Sequence, residues 1–169
     1  RDLAAEAADA ALADAGVEPE EIGLVVFGNA AAGVLTGQEM IRAHTALGGS
    51  RVAGRPMVSV ENACASSSSA FHLGAMAVSS GSYDHVLVVG AEKMTSTDRT
   101  RAARALATAV DVELAGDQDG SRPVFMEIYA AEARAYLERT GASDRDLALV
   151  AAKSLHNGSL NPIAQNRTA

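Results

Sequence analysis

Residues 57–71, M-V-S-V-E-N-A-C-A-S-S-S-S-A-F, decide the fold. Met57–Val60 is a short run of mostly apolar, β-branched residues, which predicts a buried strand. The residues from Cys64 to Val78 are helix-length and crowded with Ala, Ser and Gly. Small side chains allow neighbouring elements to approach closely, so this helix is expected to be central and buried on most faces. The segment therefore predicts a strand, a turn and a central helix, with Cys64 where the helix starts.

Two further apolar runs, at residues 24–27 and 86–89, predict buried strands on either side of this segment. Apolar residues at helical spacing before Gly16 predict a first helix, and a similar pattern from Met40 to Leu47 predicts a second. Strands that alternate with helices favour right-handed crossovers and a mostly parallel sheet. The predicted fold class is α/β.

The sequence becomes charged and Ala-rich after Met94, and G-D-Q-D-G-S-R-P at residues 116–123 predicts a loop at a subdomain boundary. Two helices are expected beyond it. One has its apolar positions within residues 126–137, and the other starts at Ser143, where a serine cap is followed by two aspartates in the first turn.

The composition narrows the function classes. A length of 169 residues with 48% hydrophobic content suits one domain with a core. A net charge of -7 argues against nucleic acid or an anionic membrane surface as the main partner. A single cysteine excludes an internal disulfide framework, and no secretory pattern opens the chain, so a cytoplasmic protein is expected. The chain opens on Arg1 inside a helical pattern and closes on a polar run, so we interpret both ends as cuts through a longer protein.

The position of Cys64 has two interpretations. A helix amino terminus carries about half a positive charge and unpaired N–H groups. Cysteines in such positions have a lowered thiol pKa, and the same N–H groups can stabilise an oxyanion. A lone cysteine among Ala and Ser is otherwise a small buried apolar residue. Position alone leaves both interpretations open.

The residues around Cys64 favour the first interpretation. V-E-N-A-C-A-S-S-S-S-A-F, at residues 60–71, resembles the segment that carries the nucleophilic cysteine of thiolases, above all the sterol-carrier-protein-type or lipid-transfer-protein-like thiolases. G-Q-E-M-I-R at residues 37–42 is similar to the family's G-Q-x-x-x-R, and G-A-E-K-M-T at residues 90–95 is similar to its G-x-E-x-M-[ST]. One departure is Ser67, where these sequences usually have Gly; its hydroxymethyl group would narrow the pocket if it packs against substrate.

The resemblance, which covers the amino-terminal half of the family, implies a thiolase-like layered α/β core over residues 1–110 that lacks the family's first strand. Residues 111–169 would begin a helical loop subdomain. F-M-E-I-Y-A-A-E at residues 125–132 is similar to the family's H-M-G-x-T-A-E, which faces the pantetheine arm. It implies Phe125 and Met126 as substrate contacts, although Phe125 replaces the His of that motif.

The resemblance also implies the chemistry. Cys64 would take an acyl group from a 3-ketoacyl-coenzyme A, and coenzyme A would resolve the thioester, or acetyl-coenzyme A would be condensed in the reverse direction. Coenzyme A is then a substrate, and no cofactor is bound permanently. A homodimer, formed through the sheet edge near the strand before the nucleophile, and a place in lipid metabolism are implied as well.

The sequence does not contain the motifs that carry the acid/base residues of the family. Neither G-H-P nor a second Cys, as in C-x-G-G-G, occurs in the sequence, and we expect this chain alone to turn over little. Three alternatives stay open. They are a β-ketoacyl-acyl-carrier-protein synthase, a thiolase-like aldolase of steroid or acyl-coenzyme A side chains beside a small OB-fold partner, and a non-catalytic lipid-binding or assembly subunit.

Other candidate groups favour structural roles. None of the four histidines has metal-ligand spacing to another ligand, so no metal is expected, and all four are assigned to structure or surface. The only basic concentration comprises Arg99, Arg101, Arg104 and Arg122. Arginine suits the phosphates of coenzyme A, but a solvated helix face is the favoured interpretation. Glycine spacing also disfavours a nucleotide-binding Rossmann site.

Overall fold

The computed structural model describes residues 1–111, 113, 124–165 and 167. It divides into two units, Arg1–Arg122 and Pro123–Ala169. The first contains a three-stranded sheet of β1 (Leu24–Gly28), β2 (Met57–Val60) and β3 (Val86–Gly90), in the order β2-β1-β3. Both pairs of strands are parallel. The predicted α/β class and the three predicted strands are confirmed.

The helices of the first unit are α1 (Asp2–Ala15), α2 (Ala32–Thr36), α3 (Arg42–Leu47), α4 (Ser66–Ser79) and α5 (Arg99–Ala107), with 3₁₀ turns at Pro19–Glu21 and Ala63–Ala65. Helix α1 ends at Gly16, whose φ of 63° places it in the left-handed region that glycine reaches at little cost. The predicted glycine cap of this helix is therefore confirmed.

The two faces of the sheet are covered by different helices, because side chains alternate along each strand. Val25 and Phe27 of β1 join the core cluster that α1 and α3 form on one face, with Leu47 fully buried there. The other face carries Val88, against which Gly74 of α4 packs. This gives three layers, helix, sheet and helix, as the predicted architecture requires.

Helix α4 is buried on one face only. Its buried residues are Ser66, Ala70 and Gly74, and a Cβ added at Gly74 would lie 2.6 Å from a Val88 methyl carbon, so the glycine allows the helix to approach the sheet closely. Its exposed large apolar residues are Phe71, Leu73, Met76 and Val78. The helix is therefore buried only where the sheet covers it, and not on most faces as expected.

The segment between β1 and β2 differs from the prediction. Residues 32–36 form α2, a helix of five residues that the apolar pattern did not indicate. The helix expected from Met40 begins at Arg42, because Ile41 has a φ of 50° and precedes it as the cap. Met40 is 77% exposed and lies outside the helix.

The second unit contains α6 (Val124–Thr140) and α7 (Asp144–Ser159). Ser143 caps α7 as predicted, and both its backbone N–H and its hydroxyl donate to Asp146 Oδ2 at 2.8 Å. Neither helix contains a buried residue. The loop expected at residues 116–123 lies outside the described residues, and the domain boundary at residue 110 stays a prediction. No described helix is long and apolar enough to cross a membrane.

Candidate active site

Cys64 lies between the carboxyl end of β2 and the start of α4, as the sequence predicts. It is the middle residue of the 3₁₀ turn Ala63–Ala65, and α4 begins two residues later at Ser66. The cysteine is a free thiol on the surface. The alternative interpretation of Cys64 as a buried apolar residue is therefore wrong for this chain.

The residues 61–65, here called the cysteine turn, are held by side chains of the turn itself and of the first turn of α4. Ala63 has a φ of 44°, a left-handed backbone that costs a residue with a Cβ about 1 kcal/mol. The buried Ser66 hydroxyl stabilises this turn, because it accepts from the Asn62 N–H at 2.9 Å and donates to the Ala63 carbonyl at 2.7 Å. Glu61 Oε1 accepts from the Ala63 N–H at 2.6 Å. The Asn62 N–H and both backbone groups of Ala63 therefore have local partners.

Cys64 lines a cavity of about 380 Å³, here called the Cys64 cavity. Its walls come from the cysteine turn, the start of α4, the residues at the ends of β1 and β3, and the end of α5 with the residues that follow. Met94, Ala105 and Leu106 give one wall an apolar character. An accessible thiol beside a largely apolar cavity is suited to receive an acyl group.

Two paired glycines allow the start of α4 to lie directly on the sheet. Gly28 and Gly90 are neighbours in the parallel register, and a Cβ at Gly28 would lie 3.0 Å from Ser67 Cα. The Ser67 hydroxyl occupies the position that a Cβ on Gly90 would take. Ser67 therefore packs against Gly90 and also lines the Cys64 cavity, so its hydroxymethyl group takes up volume there.

Another wall of the cavity is the loop of residues 29–31, here called the β1 loop, which follows β1 directly. Glu92 holds it from a segment about sixty residues further along the chain. Its carboxylate accepts from Asn29 Nδ2 at 3.0 Å and from the backbone N–H groups of Ala30 and Ala31 at 2.8 and 2.9 Å. Glu92 belongs to the motif G-A-E-K-M-T, so the structure gives that motif a physical role.

Arg42, the last residue of the motif G-Q-E-M-I-R, holds the same loop from the other side. Its guanidinium donates to the Asn29 carbonyl and to the Ala30 carbonyl, both at 3.1 Å, and to Asn29 Oδ1 at 3.3 Å. Asn29 is only 6% exposed, and its amide also donates to the Ala91 carbonyl at 2.9 Å. Asn29 was missed in the sequence, where its one signal is its place directly after a strand-ending glycine.

A second cavity of about 380 Å³ lies against the same group of residues. It shares Asn29, Ala91 and Glu92 with the Cys64 cavity, and Arg42 lines it as well. Asn29, Ala91 and Glu92 therefore form a partition between two open spaces.

The two predicted substrate contacts lie in the second unit, in the first turn of α6. Phe125 is half-buried and stacks on Tyr129 with ring centroids 6.5 Å apart, and Met126 is 65% exposed. Their role stays a prediction. Among the predicted basic residues, Arg101 donates to the Leu35 carbonyl and so helps α5 pack on α2, while Arg122 lies outside the described residues. No described histidine lines the Cys64 cavity.

A parallel α/β domain with an accessible cysteine at a strand–turn–helix junction is the class of protein that the fold and site define. The amino-terminal domain of thiolases matches residues 1–167. The chain therefore belongs to the thiolase family.

Individual relatives agree with this assignment. The chain is 38% identical over 169 residues to an acetyl-CoA acetyltransferase of Methanothermobacter thermautotrophicus, covering 98% of the chain and 42% of the relative. It is 30% identical over 147 residues to the benzoylsuccinyl-CoA thiolase subunit BbsB of Thauera aromatica, covering 86% and 35%. It is 28% identical over 168 residues to sterol carrier protein 2 of Gallus gallus, covering 97% and 30%. The chain thus spans less than half the length of these curated relatives.

Proposed function

We propose that this chain supplies the nucleophile of a thiolase-type acyltransferase, with Cys64 as the residue that forms the acyl-enzyme. The observation that carries the proposal is the exposed Cys64 thiol on the wall of a cavity, at the end of a parallel strand, in a chain of the thiolase family. Two relatives named acetyl-CoA acetyltransferase support coenzyme A thioesters as the substrates.

The proposed reaction has two acyl transfers. In thiolysis, the Cys64 sulfur attacks the 3-keto carbon of a 3-ketoacyl-coenzyme A and the bond between C2 and C3 breaks. The departing carbanion takes a proton and leaves as acetyl-coenzyme A. The thiol of a second coenzyme A then attacks the Cys64 thioester, which releases the shortened acyl-coenzyme A and restores the cysteine. Condensation of acetyl-coenzyme A runs through the same steps in reverse.

The proton transfers need an acid and a base within hydrogen-bond reach of the reacting atoms. We assign them to groups outside these residues, because G-H-P and a second Cys do not occur in the sequence. Phe125 and Met126 are proposed to contact the pantetheine arm. A cytoplasmic enzyme of lipid metabolism with no permanently bound cofactor fits this proposal.

We also propose a homodimer formed through β2. Strand β2 pairs only with β1 in the described part of the chain, so its other edge offers unpaired backbone groups. Val58 on this strand is 45% exposed. The name of the relative BbsB describes it as a thiolase subunit, so a second kind of subunit, including a small OB-fold protein, is the alternative occupant.

The test is mass spectrometry of the full-length protein after exposure to acetoacetyl-coenzyme A. We expect an acetyl group on Cys64 and none in Cys64→Ser. Ser68→Ala, an exposed change on the same helix, is the matched control and should keep the adduct. An unmodified Cys64 in the folded protein would contradict the proposal and favour an aldolase or a non-catalytic subunit.

A further inference from the structure

We propose that Glu92 is a positioning residue for the acyl-coenzyme A substrate, because it fixes the β1 loop as a wall of the Cys64 cavity. The inference rests on the proposed function. It concerns a residue that lines the Cys64 cavity but acts through the backbone it holds.

Glu92 makes three hydrogen bonds of one kind to the β1 loop. All three partners of the Glu92 carboxylate are N–H donors, those of Asn29 Nδ2, Ala30 and Ala31, at 2.8–3.0 Å. A carboxylate has only acceptor sites and satisfies all three. A glutamine of the same shape has one acceptor oxygen, so its amide N–H groups would face one or more of these donors. The loop geometry therefore depends on the charge and chemistry of Glu92 rather than on its size.

Open space borders part of the partition in the described part of the chain. Asn29 and Glu92 line both the Cys64 cavity and the second cavity, so open space flanks the contact. A wall backed by close-packed side chains keeps its place when one hydrogen bond is lost. At Asn29 the loop borders both cavities, whereas Ala31 packs in an apolar cluster with Leu35 and Ala105. The hydrogen bonds of Glu92 and Arg42 therefore fix the part of the loop at Asn29 and Ala30, which this cluster does not hold.

The β1 loop also lies beside the place of the substrate. The β1 loop and Cys64 line one cavity, so any acyl-coenzyme A whose carbonyl reaches the thiol lies beside the loop. A displaced wall weakens the binding of the substrate and the binding of the transition state by the same amount. Such a loss of uniform binding raises KM and leaves kcat unchanged.

The experiment compares Glu92→Gln with the wild type in the full-length protein. We expect KM for acetoacetyl-coenzyme A to rise about tenfold while kcat changes less than about twofold. The Kd of acetyl-coenzyme A, measured by calorimetry in a Cys64→Ala background where no acyl transfer occurs, should rise by the same factor. Glu6→Gln removes an exposed carboxylate of the same unit and should change neither quantity.

Arg42→Lys is the second variant, in case Glu92→Gln folds poorly. It keeps the charge but replaces the longer guanidinium, whose Nη1 reaches both the Asn29 and the Ala30 carbonyl, and a KM increase of about threefold is expected. Unchanged KM and Kd in a folded Glu92→Gln protein would overturn the inference and leave the proposed function standing. A wild type without turnover that still binds acetyl-coenzyme A more tightly than Glu92→Gln does would support the inference and sink the proposed function. A wild type that neither binds nor turns over would overturn both.

Discussion

The β1 loop and the cysteine turn occupy equivalent places, each directly after a strand of the same parallel sheet, yet they are held in different ways. The cysteine turn is held by Glu61, Asn62 and Ser66, all within five residues of Ala63. The β1 loop is held by Arg42 and Glu92, which are 12 to 63 residues away from it. One turn is fixed by its own sequence and the other by the tertiary fold.

This difference indicates how the two sides of the site respond to damage. A locally held turn keeps its shape as long as its few neighbouring residues are intact. The β1 loop brings α3, β1 and the residues after β3 together, so its hydrogen bonds depend on three segments at once. We therefore expect changes in the β1 loop to lower the stability of the first unit more than changes in the cysteine turn.

Asn29→Ala should have the largest effect. The side-chain amide of Asn29 is buried and joins the Ala91 carbonyl, Glu92 and Arg42. Its removal breaks four hydrogen bonds, to the Ala91 carbonyl and Glu92 and from Arg42 and the Ala32 N–H, and each such loss of a buried partner costs about 1–3 kcal/mol. A fall of about 3 kcal/mol in the free energy of unfolding is expected from urea denaturation. If Asn29→Ala lowered the free energy of unfolding by less than Ser66→Ala, which affects the cysteine turn, the comparison would be wrong.

Ser66→Ala should have a smaller effect, about 1 kcal/mol, because the Ser66 hydroxyl makes two hydrogen bonds within one turn. Urea denaturation measures this loss on the same scale as that of Asn29→Ala. Ser68→Ala, two residues further along the same helix and exposed, serves as control and should stay within about 0.5 kcal/mol of the wild type. If Ser66→Ala lost as much stability as Asn29→Ala, the hydrogen bonds within the cysteine turn would contribute as much as the long-range hydrogen bonds of the β1 loop.

Local and distant contacts differ in how far the sequence predicts them. The strands, the Gly16 cap and the Ser143 cap follow from patterns within a few residues, and the structure has all of them. The place of Cys64 at a strand–turn–helix junction is local in the same sense. Motif similarity found Arg42 and Glu92 but could not show why those residue types stand there.

Features with no local signal were missed. The Asn29–Glu92 contact joins residues 63 apart, and no periodicity links them. The left-handed backbone at residue 63 could not be predicted, because the residue there is an alanine rather than a glycine or an asparagine. A hydrogen bond from the Asn62 N–H to the Ser66 hydroxyl stabilises this conformation instead. The exposed face of α4 reflects what covers the helix, which depends on neighbours rather than on its own small residues.

The smallest expected effect concerns the hydrogen bonds at the start of α7, in the second unit. Hydrogen bonds from the backbone N–H and the hydroxyl of Ser143 lower the pKa of Asp146. A carboxyl group with a lowered pKa in the folded state stabilises that state above its unfolded pKa of about 3.9, and the contribution is lost as pH falls through the folded pKa. The start of α7 should therefore loosen below about pH 4. Asp146→Asn should remove this pH dependence, which NMR of the Ser143 amide would follow. A Ser143 amide signal with the same acid transition in Asp146→Asn would assign the transition to another group.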